Sequence, residues 1–251
     1  MYLNFRRQKE CFKNAAGIIF LSHYAKNYIS NSLGLINKNY AVIPHGISTN
    51  FISNYSELKI EENKNSFHFL YVSTVHVYKN QCQVVEAISK LRNNGYIVEL
   101  TLIGDIIYKP YGNRLKKLIR KVNHGNKIIH HILNISYFEI SEIYKKFDGI
   151  IFASSCENMP NILLESMGAM KPIACSEKGP MKEFLKDGGF YFNPRSISSI
   201  YKTLEYILLN KNSFEDLNLK NINVLYKYSW KKTTSETIEF VKKNLKSIKN
   251  V

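Results

Sequence analysis

The sequence predicts an α/β fold, a Rossmann-like doubly wound parallel sheet with helices on both faces. Between residues 67 and 192, short runs rich in β-branched and aromatic residues recur, and each gives way to a stretch whose apolar residues follow helical spacing. Strands that alternate with helices in this way pair in parallel, because each crossover carries a helix back over the sheet. The runs end in polar or glycine-containing turns, and in doubly wound sheets ligands sit at those carboxyl ends.

Ahead of this series, residues 17–21 read as a buried strand, 23–33 as a helix, and 40–43 as a second strand stopping at Pro44-His45-Gly46. Residues 48–66 are polar and aperiodic and read as a linker. The main series opens with the strand FHFLYVST from Phe67, followed by a helix over 81–92 with Val84, Val85, Ile88 and Leu91 on one face. A strand over 97–103 ends at Gly104-Asp105, a helix follows over 115–122, and a strand over 127–132. Ser136 with Glu139 three residues on has the capping-box pattern for a helix over 137–147. Then come a strand over 149–153, a helix over 161–170, a strand over 172–175, a short helix over 181–186 and a last strand over 190–192. The tail reads as helices over 197–209, 214–226 and 230–246. The expected organisation is a segment 1–47, a linker 48–66, a Rossmann-like domain 67–228 and a C-terminal helix 229–251.

Composition narrows the function classes. With 251 residues, 45% of them hydrophobic, the chain can build a sizeable core, which excludes a disordered polypeptide. The 35 Lys and Arg against 20 Asp and Glu leave +15, which favours anionic partners such as a nucleotide or an acidic membrane surface. Nucleic acid is disfavoured, because the lysines are spread along the chain and aromatic residues are not interleaved with basic ones as a stacking platform. Cys11, Cys82, Cys156 and Cys175 form no C-x-x-C pair and have no His at zinc-ligand spacing, so neither a disulfide framework nor a structural metal is expected. A reducing cytoplasm fits this usage. No run approaches the ~18 apolar residues of a membrane span, and the first residues lack a signal-peptide core. The expectation is a cytoplasmic protein, at most peripheral at the inner membrane surface.

The residues that carry chemistry cluster in the strand end, turn and helix over 154–165. Glu157 and Asn158 lie in the turn. Asn161 follows Pro160, so the helix is expected to begin there, with the first backbone N–H groups, those of Asn161 and Ile162 among them, open to a phosphate. Glu165 then lies about 6 Å along the helix at ~1.5 Å per residue, a reach suited to a ribose beside bound phosphates. Two isolated acids would read as solvated surface groups, but Leu163, Leu164 and Met167 surround Glu165 with apolar neighbours, and both acids fall at the ligand edge of the sheet.

Glu157 and Glu165, with seven residues between them in a strand-turn-helix, resemble the donor-site motif of the family 4 glycosyltransferases of GT-B fold. Pro44-His45-Gly46-Ile47 resembles the segment that closes the first domain of such enzymes. Residues 69–79 resemble the glycine-arginine-lysine loop after the first strand of the second domain, and Gly179-Pro180 with Glu183 resembles a later G-x-x-E turn. The resemblance runs from about Ala15 to Trp230 and is most specific over ENMPNILLE. It implies a GT-B C-terminal domain in which Glu165 accepts hydrogen bonds from the donor ribose and Glu157 serves the transferred sugar as the catalytic position. It also implies that Lys79 and residue 74 hold the diphosphate beside Asn158, Pro160, Asn161 and Ile162. Thr74 stands where the family has Arg, Ser73 where it has Gly, and Met170 where it has Gly. Thr74 offers one neutral hydroxyl in place of a bidentate guanidinium, so either His76 or Asn80 compensates or diphosphate binding is weaker than usual. No Asp-x-Asp motif occurs at a strand end, so no metal is expected.

The reading is therefore the donor half of a retaining glycosyltransferase that moves a hexose from a UDP- or GDP-sugar to a glycan or lipid acceptor without a cofactor. Only some 45 residues precede the linker, so a truncated acceptor-side domain is expected. With it comes either a separate acceptor-domain chain or self-association, since residues 16–33 should either fold back on the second domain or expose Ile18, Ile19, Phe20 and Leu33 to a partner. The alternative is a non-catalytic nucleotide-sugar-binding remnant or a subunit of a split enzyme.

Overall fold

The structure, a computed structural model, describes residues 2–34, 39–52, 66–133, 135–211 and 213–249. It divides into two compact units, Met1–Ser48 with Lys227–Val251, and Thr49–Tyr226.

The first unit begins with α1 (Tyr2–Asn14), which the sequence reading left without an element, and continues through β1 (Ile18–Phe20), α2 (His23–Leu33) and β2 (Tyr40–Val42). Strands β1 and β2 pair in parallel, Ile18 opposite Tyr40. The bounds of α2 follow from its ends: the Ser22 hydroxyl accepts from the Ala25 amide at 3.0 Å, and Gly34 closes the helix at φ 66°. The C-terminal helix Trp230–Lys249 belongs to this unit and meets the Pro44-His45-Gly46 turn. There the Thr233 hydroxyl donates to the Pro44 carbonyl at 2.8 Å, and the His45 ring stacks on Trp230 at 5.5 Å. Gly46 is required at this turn, since a Cβ on it would lie 2.0 Å from the Trp230 nitrogen.

The second unit opens with a single 3₁₀ turn, Thr49–Phe51, in which Phe51 is buried with its ring 5.4 Å from that of Tyr137 and 6.2 Å from that of Tyr144. Within the expected linker, this one phenylalanine thus packs on two tyrosines of the same unit. The remainder of the linker, residues 53–65, lies outside the described residues.

The elements that follow are β3 (Phe67–Val72), α3 (Gln81–Asn93), β4 (Val98–Ile103), α4 (Lys109–Val122), β5 (Ile129–Ile132), α5 (Tyr137–Lys145) and β6 (Gly149–Phe152). After these come α6 (Asn161–Met167), β7 (Ile173–Ser176), α7 (Met181–Leu185), β8 (Phe190–Phe192), α8 (Ile197–Leu209) and α9 (Glu215–Leu225). The six strands lie in the order β5-β4-β3-β6-β7-β8 and every pairing is parallel. This is the 3-2-1-4-5-6 order of the Rossmann fold, and it places the topological switch point between β3 and β6. Phe69, Tyr71, Leu100 and Leu102 fill the sheet face under α3, whose Val84, Val85, Ile88 and Leu91 are fully buried as their helical spacing predicts.

Several helices differ in length from the sequence reading, α4 and α6 among them. Helix α4 starts at Lys109, because Pro110 falls in the first turn, where its missing N–H costs nothing. Helix α6 stops at Met167, capped by Gly168, and Met170 beyond it has φ 54°. That left-handed conformation costs a non-glycine residue about 1–2 kcal/mol. It falls where the resemblance has glycine, and burial of the Met170 side chain offsets it.

Candidate functional site

The site lies at the carboxyl ends of β3 and β6, on either side of the switch point. After β3 the chain runs through Ser73 to His76, makes a 3₁₀ turn over Val77–Lys79 and enters α3 through Asn80, which has φ 55°. The turn drives Lys79 inward until its side chain is only 8% exposed. The Tyr71 hydroxyl fixes it from below, donating to the Lys79 carbonyl at 2.6 Å, and burial pushes that phenol far above its usual range. The Lys79 ammonium donates to the Glu157 carboxylate and lies 5.2 Å from the centre of the Tyr78 ring. Two residues that the sequence places on different loops thus form one half-enclosed ion pair, with Glu157 16% exposed.

The loop after β6 is tied to the loop after β3 by backbone. The Ser155 amide donates to the Tyr78 carbonyl at 2.8 Å, and the Asn80 side-chain amide donates to the Ala153 carbonyl at 2.7 Å and to the Tyr78 carbonyl at 2.9 Å. Asn80 is therefore not a substitute for the family's arginine, because its donor is spent on the scaffold. His76 packs between Tyr78 and Tyr108, at 4.6 and 5.4 Å, and its buried Nδ1 has no hydrogen-bond partner among the described residues. Thr74 is exposed at the mouth. Ser73, in place of glycine, is accommodated because its hydroxyl accepts from Gln81 Nε2 at 2.9 Å, and the same amide donates to the Thr74 carbonyl at 2.9 Å.

Gln81 is a positioning residue that sequence reasoning missed, and Asn80 is another that it named only as a substitute for the arginine. Each looks like an ordinary residue at a helix start, and only the fold shows what its amide reaches.

At the start of α6, Asn158 and Asn161 are exposed, Pro160 is buried and Ile162 half-buried. The expected row of open N–H groups is partly closed, since the Asn161 amide donates to the Met159 carbonyl at 3.1 Å and the Leu163 amide to the Pro160 carbonyl at 2.9 Å. Glu165 lies one turn further, 3.4 Å from the donating Tyr137 hydroxyl. Desolvation among its apolar neighbours pushes its carboxyl up to about 7, and the Tyr137 hydrogen bond works weakly in the opposite direction. Gly179, at φ 65°, faces Glu157, and a Cβ there would sit 3.9 Å from the Glu157 nitrogen. The four cysteines are free.

A six-stranded parallel sheet of Rossmann order, with helices on both faces, is the α/β fold of a GT-B domain. Residues 56–223 match the family described as glycosyl transferases group 1, and the chain belongs to that family. It is 27% identical over 180 residues to the serotype-specific mannosyltransferase WbdA of Escherichia coli, covering 70% of this chain and 21% of that protein. The chain thus spans about a fifth of that relative's length. Among solved structures, sucrose-phosphate synthase from Thermosynechococcus elongatus superposes with a TM-score of 0.85 at 15% identity, over 98% of this chain and 63% of that one. Anabaena HepE in complex with UDP and glucose superposes with a TM-score of 0.80 at 16% identity, over 97% and 68%. Among the described residues, no helix is long and apolar enough to cross a membrane.

Proposed function

We propose that the Thr49–Tyr226 unit binds a nucleoside diphosphate sugar between the carboxyl ends of β3 and β6, and that the protein transfers the sugar to a glycan or lipid acceptor with retention. The observation that carries this reading is the Lys79–Glu157 pair. An ammonium only donates hydrogen bonds and an ionised carboxylate only accepts them. A sugar diphosphate offers the complement of both, phosphate oxygens for Lys79 and sugar hydroxyls for Glu157. A bare nucleoside diphosphate serves Lys79 alone and leaves Glu157 facing its negative charge.

Lys79 would then stabilise the charge that develops on the leaving diphosphate as the glycosidic bond breaks. In this reading the ribose hydroxyls of the same ligand donate to Glu165. Thr74 contributes no charge, so the diphosphate depends on Lys79 more than where an arginine is also present. Mannosyl transfer by the relative, and UDP with glucose in the structural neighbour, make UDP- and GDP-hexoses the donors to test first.

Calorimetric titration of the protein with these donors, with UDP and with uridine is the direct test. Sugar nucleotides should bind more tightly than the bare diphosphates, and EDTA should change nothing. Lys79→Ala, confirmed folded by circular dichroism, should weaken UDP more than uridine, with a difference that shrinks as salt is added. Equal weakening of both ligands would make Lys79 structural and remove the diphosphate from this position. Donor binding without transfer to any acceptor in a glycan and lipid extract would favour the alternative of a nucleotide-sugar-binding module.

A further inference from the structure

Three side chains with metal-binding chemistry meet at the opposite, amino-terminal end of the same strands. His68, Glu99 and His130 are each the second residue of β3, β4 and β5. The parallel register sets His68 opposite Glu99 and Thr101 opposite His130, and alternate residues of a strand share a face. We propose that His68, Glu99 and His130 form a binding site for a divalent transition metal ion of the zinc class.

The geometry is close to what such an ion requires. One ring nitrogen from each histidine and one Glu99 oxygen all lie within 4.8 Å of one another. Donors bound tetrahedrally to one zinc ion at ~2.1 Å lie about 3.4 Å apart, so closure by about 1.4 Å or less assembles the site. His130 Nε2 is already 3.3 Å from Glu99 Oε2. The His68 ring is held by the Thr101 hydroxyl, 2.9 Å from Nε2, and by the edge of Phe147 at 4.7 Å. These contacts restrict the ring before any ion arrives, which lowers the entropy cost of binding, as supporting groups around metal ligands do.

The ligand set selects the ion. Two imidazoles and one carboxylate suit zinc, cobalt, nickel or copper, whereas magnesium and calcium demand oxygen ligands. The side chains are half-buried, His130 at 27% and Glu99 at 31% exposure, so the ion would be partly shielded yet reachable. A notch of about 380 Å³ opens beside them, lined by His68, Thr101, Lys127 and His130, with room for a water as a further ligand. Lys127, exposed at its rim, repels a cation, so its removal should tighten binding. No ligand spacing marks this site in the sequence, because its three members come from three strands joined by long crossovers. A bound ion would clamp β3, β4 and the edge strand β5 together.

The test is titration of the protein, without a histidine tag, with Co²⁺ and Zn²⁺. One equivalent of Co²⁺ should produce visible ligand-field bands without a sulfur-to-metal charge-transfer band, and Zn²⁺ should displace it and raise the melting temperature. His130→Gln, on an edge strand where folding is least at risk, and Glu99→Gln should each weaken binding by about tenfold or more, while Lys127→Gln strengthens it. Unaltered affinity in both ligand variants, no saturable binding, or a sulfur charge-transfer band that assigns the ion to the exposed thiols of Cys11 or Cys156 would each overturn the proposal.

Discussion

Lys79 and Glu157 share an ion pair at 8% and 16% side-chain exposure, and pairs this enclosed respond asymmetrically to mutation, because removing one partner strands the other charge in a poorly solvated place. Glu165 is the contrasting acid of the site, since among the described residues no cation pairs with it and it pays for burial in its protonation. Its carboxyl is pushed from 4.5 up to about 7 by desolvation, so between those values the folded protein holds a proton that the unfolded chain releases. Folding stability therefore falls as pH rises from 4.5 to 7 and levels off above, on account of this group. Glu165→Gln keeps the hydrogen-bonding shape and removes the titration. The variant should gain stability relative to the parent across that window, measured by urea unfolding at pH 4.5, 6 and 7.5, and parallel pH profiles would show that Glu165 is solvated. The two acids and Lys79 were legible as candidates because their spacing in one strand-turn-helix and one loop resembles a known motif. The ion pair was not, because it joins loops far apart in the chain, while the desolvation was legible only in part, through the apolar neighbours Leu163, Leu164 and Met167.

The elements whose ends carry local chemistry were the readable ones. Ser22 and Gly34 bound α2, Ser196 caps α8 by accepting from the Ser199 amide, and the capping box of Ser136 and Glu139 starts α5, so the expected starts agree with the structure. Where tertiary contacts decide, the pattern is silent: α1 presents little beyond Phe12 to the β1 cluster, and Phe51 finds its ring partners on α5. The junction of β3 and β4 shows how a strand end becomes a rigid platform. The Ser73 amide donates to the Ile103 carbonyl at 2.8 Å and the Val75 amide to the Asp105 carbonyl at 2.7 Å, which carries the pairing past the strands and under the crevice. Gly104 permits this at φ 141°, with its hypothetical Cβ 2.2 Å from the Ser73 carbonyl oxygen. Gly104→Ala should cost at least about 2 kcal/mol, combining backbone strain with displacement of the neighbouring strand end. It should also weaken nucleotide binding, because the displaced segment leads into Lys79. Denaturation and UDP titration of the same sample measure both, and a normal affinity in the folded variant would uncouple this junction from the site.

At the scale of the whole chain, both termini contribute to one unit, while the sheet of Rossmann order and every residue of the candidate donor site belong to the other, Thr49–Tyr226. The net charge of +15 does not distinguish them as binding surfaces, since the lysines are dispersed and dispersed charge raises encounter rates without fixing a position. Position comes instead from the switch point, where the loops after β3 and β6 are cross-linked by Asn80 and Ser155 and carry Lys79 and Glu157 between them. A ligand held there should suppress opening of those loops, because binding to the folded form stabilises whatever must open to release it. Hydrogen exchange followed by mass spectrometry, with and without saturating UDP-sugar, should then show added protection in residues 73–82 and 154–167. Peptides from β1, α2 and the helix Trp230–Lys249 should exchange at unchanged rates. Protection of equal size in those terminal peptides would show that donor binding draws on the first unit as well, and the site would have to be redrawn to include residues outside Thr49–Tyr226.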